Sequence, residues 1–179
     1  MEFEEKQHLN LWWLHILAGV EATMVLSILF LDKNGMTLQE LKDIYFLPVF
    51  AAFLPFIIIA FIQKSTLTLK LDSNGISYRY APFARRTTTI SWVQINKMYI
   101  RKYDALGEYG GWGKRYRLWF KLKDKAFIFN NENKGLQMEL NHDKKLLFST
   151  EKSDELSLFL INLKRTYNIG AIETDVRER

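Results

Sequence analysis

The stretch Ile44 to Ile62, IYFLPVFAAFLPFIIIAFI, runs for nineteen residues without a charged side chain. At about 1.5 Å of rise per helical residue it spans roughly 28 Å, close to the hydrocarbon thickness of a bilayer, and so predicts a membrane-spanning helix. The preceding apolar segment, Leu9 to Leu31, is interrupted by His15 and Glu21, and its Trp12 and Trp13 suit an interfacial aromatic belt. Together they predict a transmembrane hairpin over residues 1–63, with helices at about 9–31 and 38–62. A helix pair from the core of a soluble bundle is the competing reading, but the chain offers no other helices to bury it. Asp32-Lys33-Asn34-Gly35 has turn chemistry, and Thr37 followed by Glu40 is a capping-box pattern for a helix beginning near Leu38. Pro48 and Pro55, seven apart, predict kinks on one helical face.

Charge divides the chain at the same place. Residues 1–63 carry three lysines against seven acids, net −4, and residues 64–179 carry 22 Lys and Arg against 13 acids, net +9. The second part is long enough to bury its own core, and its positive excess favours anionic surroundings. With no cysteine, disulfide and thiolate chemistry are excluded. Glu2, Glu4 and Glu5 against Lys6 is the wrong charge for the leader of a secretory signal peptide, so the first apolar segment is expected to be retained. By Lys and Arg alone, the N-terminus has one, the connecting loop two, and the segment after the second helix five: Lys64, Lys70, Arg79, Arg85 and Arg86. The positive-inside rule then predicts a multi-pass membrane protein with both termini cytoplasmic.

From Thr66 the period becomes two. Leu67, Leu69 and Leu71 alternate with polar residues, Ser73-Asn74-Gly75 supplies a hairpin turn, and Ile76, Tyr78 and Tyr80 continue the alternation. Further strands are expected at Thr87 to Trp92, Lys97 to Tyr103, Arg115 to Lys123, Ala126 to Asn130, Gly135 to Leu140 and Lys145 to Thr150. An amphipathic helix follows, with Ser153 as its cap and Leu156, Phe159, Leu160 and Leu163 on one face. The fold class read from this is α+β: a two-helix transmembrane hairpin, then an antiparallel β-barrel or sandwich over residues 64–168 closed by one helix, with a frayed tail at 169–179.

That succession is the pattern of a pleckstrin-homology-like (PH-like) barrel. Asp72-Ser-Asn-Gly75-Ile76, Pro82-Phe83, Ile90-Ser-Trp-Val-Gln-Ile95, Glu108-Tyr-Gly-Gly-Trp-Gly113, Gly135-Leu-Gln-Met-Glu-Leu140 and Ser149-Thr150 follow in order behind a segment opened by Trp12-Trp13. From about Gln7 to Leu163 the chain resembles a family of uncharacterised bacterial membrane proteins with a bacterial PH-like domain. The resemblance implies fold and topology, and no activity. Phosphoinositide binding at the first hairpin turn does not carry over, because Asp72-Ser73-Asn74-Gly75 contains no Lys or Arg.

The sequence offers three places for function. Gly107 to Gly113 fits no P-loop or dinucleotide fingerprint. It is either a bent loop whose Tyr109 or Trp112 plugs the barrel, or a recognition loop in which those aromatics work beside Arg101, Lys102, Lys114, Arg115 and Arg117 on an anionic lipid or a carboxylate-bearing partner. No nucleic-acid motif accompanies these cations, and nucleic acid is set aside as a partner. Enzyme chemistry finds little to hold: His8, His15 and His142 are scattered, no metal-ligand spacing occurs, Asp104 and Glu108 read as solubilising, and no cofactor is expected. Glu21 is the costly residue, since a mid-membrane carboxylate costs roughly 2.5 to 3.5 kcal/mol on insertion scales. Either it is protonated and hydrogen-bonded to backbone or to Thr23 of a neighbouring helix, or it handles protons or cations. His15 reads as an interfacial or hydrogen-bonded ring. Ala18 and Ala22 are expected to meet Pro48, Ala52 and Pro55, burying Glu21 against protein. The leading expectation is a membrane-anchored, non-enzymatic module for a protein partner or its own copies. The alternatives are a transport or sensing component using Glu21, and an anionic lipid binder acting through the basic face.

Overall fold

The computed structural model describes residues 1–31, 35, 37–84, 86–119 and 121–174. The turn expected at Asp32 to Asn34, the cation Arg85 and the end of the tail, 175–179, lie outside them. The chain forms two compact units, Asn10–Lys64 and, on either side of it in sequence, Met1–Leu9 with Ser65–Arg179. The N-terminal residues therefore group with the β-rich part rather than with the helices.

The first unit contains α1 (Trp12–Leu31), α2 (Leu38–Asp43) and α3 (Leu47–Gln63). A reciprocal capping box opens α2: the Thr37 hydroxyl accepts from the Glu40 N–H at 3.3 Å, and the Glu40 carboxylate accepts from the Thr37 N–H at 2.7 Å. The single helix expected over 38–62 is broken, because Tyr45 and Phe46 take φ of +53° and +55°. Pro48 then sits in the first turn of α3, where its missing N–H goes unnoticed, so it starts a helix instead of kinking one. Pro55 lies inside that helix. Among the described helices α1 alone is long and apolar enough to cross a membrane, and α3 is a shorter apolar helix.

The two long helices pack antiparallel. His15, early in α1, has its Nε2 3.1 Å from Gln63 Oε1 at the end of α3, and its ring stacks on Phe56 with centroids 6.3 Å apart. Ala18 and Ala22 are buried on one helix, Ala52 and Ile59 on the other. The large side chains point away: Ile16, Leu17, Val20 and Met24 of α1, and Phe50, Phe53, Ile57 and Phe61 of α3, are exposed.

The second unit opens with a strand that charge conceals. β1 (Phe3–His8) turns Phe3, Glu5 and Gln7 inward and pairs antiparallel with β2 (Thr66–Asp72), from Phe3 opposite Leu71 to His8 opposite Thr66. In β2 the inward residues are Leu67, Leu69 and Leu71, as the period of two requires. The Asp72 carboxylate accepts from the Asn74 and Gly75 N–H groups, at 2.7 and 3.2 Å, to make the turn into β3 (Gly75–Ala81). Gly75 has φ of +151°, and a Cβ there would collide with the Ile90 carbonyl oxygen. Beside β3 lies β4 (Thr88–Ser91), completing an antiparallel sheet in the order β1-β2-β3-β4.

A 3-10 turn, Trp92–Gln94, leads to the second sheet. It contains β5 (Ile95–Lys102), then, after the short helix α4 (Ala105–Tyr109), β6 (Gly113–Arg117), β7 (Lys121–Ile128), β8 (Lys134–Leu140) and β9 (Lys144–Ser149). The order is β5-β8-β9-β7-β6, with β7 and β9 parallel and the other pairs antiparallel. The strands expected at 115–123 and 126–130 are re-divided: the turn falls after Arg117, which pairs with Lys121, and Trp119 takes φ of +66°.

Of the barrel or sandwich expected, no closed barrel forms among the described residues. Among the described residues no strand pairing joins the sheets, because the chain turns out of β4 and resumes at an outer edge of the second sheet. The sheets pack through aromatic rings instead: Tyr78 lies on Phe127 and Phe148, at centroid distances of 5.2 and 4.9 Å, and those two stack within 4° of parallel. The last helix, α5 (Ser153–Tyr167), buries Leu156, Leu160 and Leu163, while Phe159 meets Phe3. The start of the tail is not frayed. Ile172 is buried, the Met98 N–H donates to the Ala171 carbonyl, and the Glu173 N–H donates to the Met98 carbonyl, both at 2.8 Å.

Candidate functional site

The expected recognition loop is built around α4. Asp104 caps this helix, its carboxylate accepting from the Leu106 and Gly107 N–H groups at 3.0 Å, and Gly110 ends it in the left-handed region. One turn of helix points Tyr109 inward. Its ring is buried with Tyr103, Ala126, Ile128 and Leu147, and Trp112 packs against that cluster. Tyr109 thus faces the interior of the β unit, and Trp112 is half-buried against the same cluster.

The cations around the loop divide. The Arg101 guanidinium donates to both Glu108 carboxylate oxygens, at 3.1 and 3.0 Å, to the Tyr109 hydroxyl at 3.0 Å and to Gln137 Oε1 at 3.0 Å. Arg117 bridges Glu108 and Asp124, at 3.2 and 3.3 Å, and the Tyr109 hydroxyl donates to Asp124 at 3.2 Å. These pairs hold α4 to both edges of the second sheet. Burial by itself would raise the Glu108 pKa, but hydrogen bonds from Arg101 and the Asp104 N–H, with the Arg101 and Arg117 charges, hold it below the usual glutamate range. Burial pushes the Tyr109 phenol up.

Three other cations of the expected set, Lys102, Lys114 and Arg115, lie nearer the surface. Lys102 and Trp112 line an open cavity of about 700 Å³ with Tyr103, Asp104 and Asn130, and the Arg115 Nε donates to the Trp112 carbonyl at 2.8 Å. Lys114 is exposed on β6, and its charge is felt by Lys125.

Sequence reasoning missed Glu108 and Asp124 as the anions these arginines require. The only signal was the local excess of arginine. It also missed a buried polar seam that docks β1. The Gln7 amide donates to the Ser149 carbonyl at 2.6 Å and its carbonyl accepts from Ser149 and Asn130, at 2.7 and 3.1 Å. Next to it the Glu5 carboxylate accepts from the Thr150 hydroxyl and the Glu151 N–H, at 2.7 and 2.8 Å. Burial raises the Glu5 pKa against the opposing pull of those two hydrogen bonds.

In the helical unit Ala18 and Ala22 are buried, but Glu21 is exposed. One residue advances a helix by about 100°, so the neighbour of a buried alanine is carried off the packed face. The expected burial of Glu21 therefore fails. Thr23 donates to the Gly19 carbonyl of its own helix at 2.8 Å.

No protein-family model matches the chain, and a search among characterised proteins found no match to its sequence.

Proposed function

We propose that the chain is a membrane-anchored, non-catalytic binding module of a bacterial inner membrane, with a PH-like β unit at the cytoplasmic face. The observation that carries this is the helix pair's inverted arrangement, with alanines inside and Phe, Ile, Leu and Met outside. Such a surface is an aggregation liability in water and an ordinary one in hydrocarbon, where small residues let helices approach. At 17 residues α3 is about 25 Å long, a mismatch that local thinning of the bilayer accommodates. The pairing of β1 with β2 supports a hairpin: a segment whose two ends lie in one sheet crosses a membrane an even number of times. The net charge of +9 on residues 64–179 suits a domain held beneath anionic lipid. Binding rather than catalysis rests on the scattered histidines and the absence of a catalytic motif in the sequence.

The partner favoured is a second copy of the chain. Glu21 faces outward on α1, and a carboxyl in hydrocarbon takes a hydrogen-bond partner from outside its own hairpin. Alkaline carbonate treatment should leave the protein in the membrane fraction, and release into the supernatant would overturn the anchor. Reporters placed after Arg179 should report cytoplasm, and cross-linking within membranes should yield a dimer that Glu21→Leu weakens.

A further inference from the structure

The barrel's failure to close leaves a cleft between β3 and β4 of one sheet and β6, β7 and the β8–β9 turn of the other, with a volume of about 590 Å³. Ile90, Leu140 and Leu146 give it an apolar floor. Around the floor stand Lys123, Lys125, Lys144, Lys145 and His142, and the described lining residues include no Asp or Glu. Tyr78, Thr88 and Tyr116 complete the wall. One ammonium is balanced from outside the cleft, Lys145 by Glu139 at 3.0 Å. Lys125 is half-buried with its Nζ 4.7 Å over the Phe127 ring, and burial together with the Lys114 charge lowers its pKa.

We infer that this cleft is a binding site for a phosphate group, carried by a lipid headgroup or by a small soluble phosphate ester. Lysines line it without a described arginine fork, which suits a compact tetrahedral polyanion better than a planar carboxylate. The volume is that of a small-molecule site, and the apolar floor would take the part of the ligand that bears the phosphate. The site is separate from the first hairpin turn and from the loop around Trp112. It does not rest on the membrane reading, since a phosphate can reach it whether or not the helices span a bilayer.

The test uses the full chain in neutral detergent and measures acetylation of each lysine with and without inorganic pyrophosphate. Lys123, Lys125 and Lys144 should be protected, and Lys164 on α5 should not. The Lys123→Gln/Lys125→Gln double variant should bind pyrophosphate at least roughly tenfold more weakly, the loss expected for one or more charge-assisted hydrogen bonds. Lys164→Gln/Arg165→Gln, which removes the same charge elsewhere, should bind as wild type. A second arm compares nanodiscs of phosphatidylcholine alone with nanodiscs that also contain phosphatidylglycerol. Protection of the cleft lysines only by the anionic lipid would assign the phosphate to a headgroup, and protection by pyrophosphate in neutral discs would assign it to a soluble ester. No protection of the wild-type lysines in either arm would overturn the inference, as would equal weakening by the α5 variant. Footprinting the wild type makes the result independent of whether a variant folds.

Discussion

The β unit and the helical unit sort their side chains in opposite ways. In the β unit Phe127, Phe148 and Leu67 are sealed off and, a few paired groups such as Glu5 and Asp124 aside, the charges stand outside; in the helical unit Phe50, Phe53 and Phe61 stand outside while Ala18, Ala22 and Ala52 are sealed. The same preference of apolar surface for apolar surroundings explains both, if the β unit is solvated by water and the helical unit by lipid. Size is then what distinguishes the cores. One is filled by large rings that must leave water, and the other by small residues that let two backbones come close.

The sharpest way to break this contrast is truncation of a large side chain in each unit. Phe148→Ala should cost about 4 kcal/mol of β-unit stability, from lost burial and the cavity left behind. Phe53→Ala should change stability by about 0.5 kcal/mol or less, as exposed substitutions do. Chemical denaturation in detergent, followed by near-UV circular dichroism, measures both, and comparable losses would deny the inside-out arrangement.

The second largest effect is expected in the charged network. Arg101→Met should cost about 3 kcal/mol by leaving Glu108 partly unpaired inside the protein. Replacing both residues by methionine should restore most of that loss, since a buried pair adds little net stability. A double variant no better than the single one would show that Arg117 and Asp124 depend on the pair.

The strands between Thr66 and Asp72 and between Gly75 and Ala81 were legible because every second residue is a leucine or an aromatic and the turn carries Asp-Ser-Asn-Gly. β1 was not, because two of its three inward residues, Glu5 and Gln7, are polar and are tolerated only through partners 123 or more residues away. The break at Tyr45 and Phe46 was equally hidden: neither residue favours positive φ, and Pro48 three residues on was the better hint that a helix starts there. The loop from Gly107 to Gly113 stands out in the sequence by its glycines and aromatics, but its ion pairing is not readable there. Sequence shows arginines near aromatics, whereas only the fold brings Glu108 and Asp124 to meet them.

A smaller effect is expected at the helix interface. Ala18→Leu inserts bulk where Ala18 is 5% exposed and should destabilise the helix pair by about 1 to 3 kcal/mol without moving the β-unit transition. Thermal unfolding with a fluorophore on each unit separates the two. A loss confined to the β unit would reverse the assignment of that face.

The smallest effect is in pH, and the two buried glutamates differ in sign. Glu108 has a depressed folded pKa, so its contribution is full above the ordinary value of 4.5 and is lost as pH falls through the depressed value. Glu5 has a raised pKa, so protonating it between that raised value and 4.5 favours the folded form. Mild acidification should therefore slow amide exchange in Glu4 to Lys6, and deeper acid should speed exchange around α4. A single shared acid transition would contradict the opposite shifts.

The pairing of β1 with β2 also sets an order of events. The 57 residues from Leu9 to Ser65 separate the two strands, and closing a loop of that length in a flexible chain carries an entropic penalty that grows with the logarithm of its length. Once α1 and α3 have paired, only Leu9 to Leu11 and Lys64 to Ser65 remain to be ordered, which lowers the closure penalty by about 2 kcal/mol. The helix pair thus acts as a clasp that must shut before the first strand made can find its neighbour. β1, made before the other strands, is for that reason among the last elements to dock.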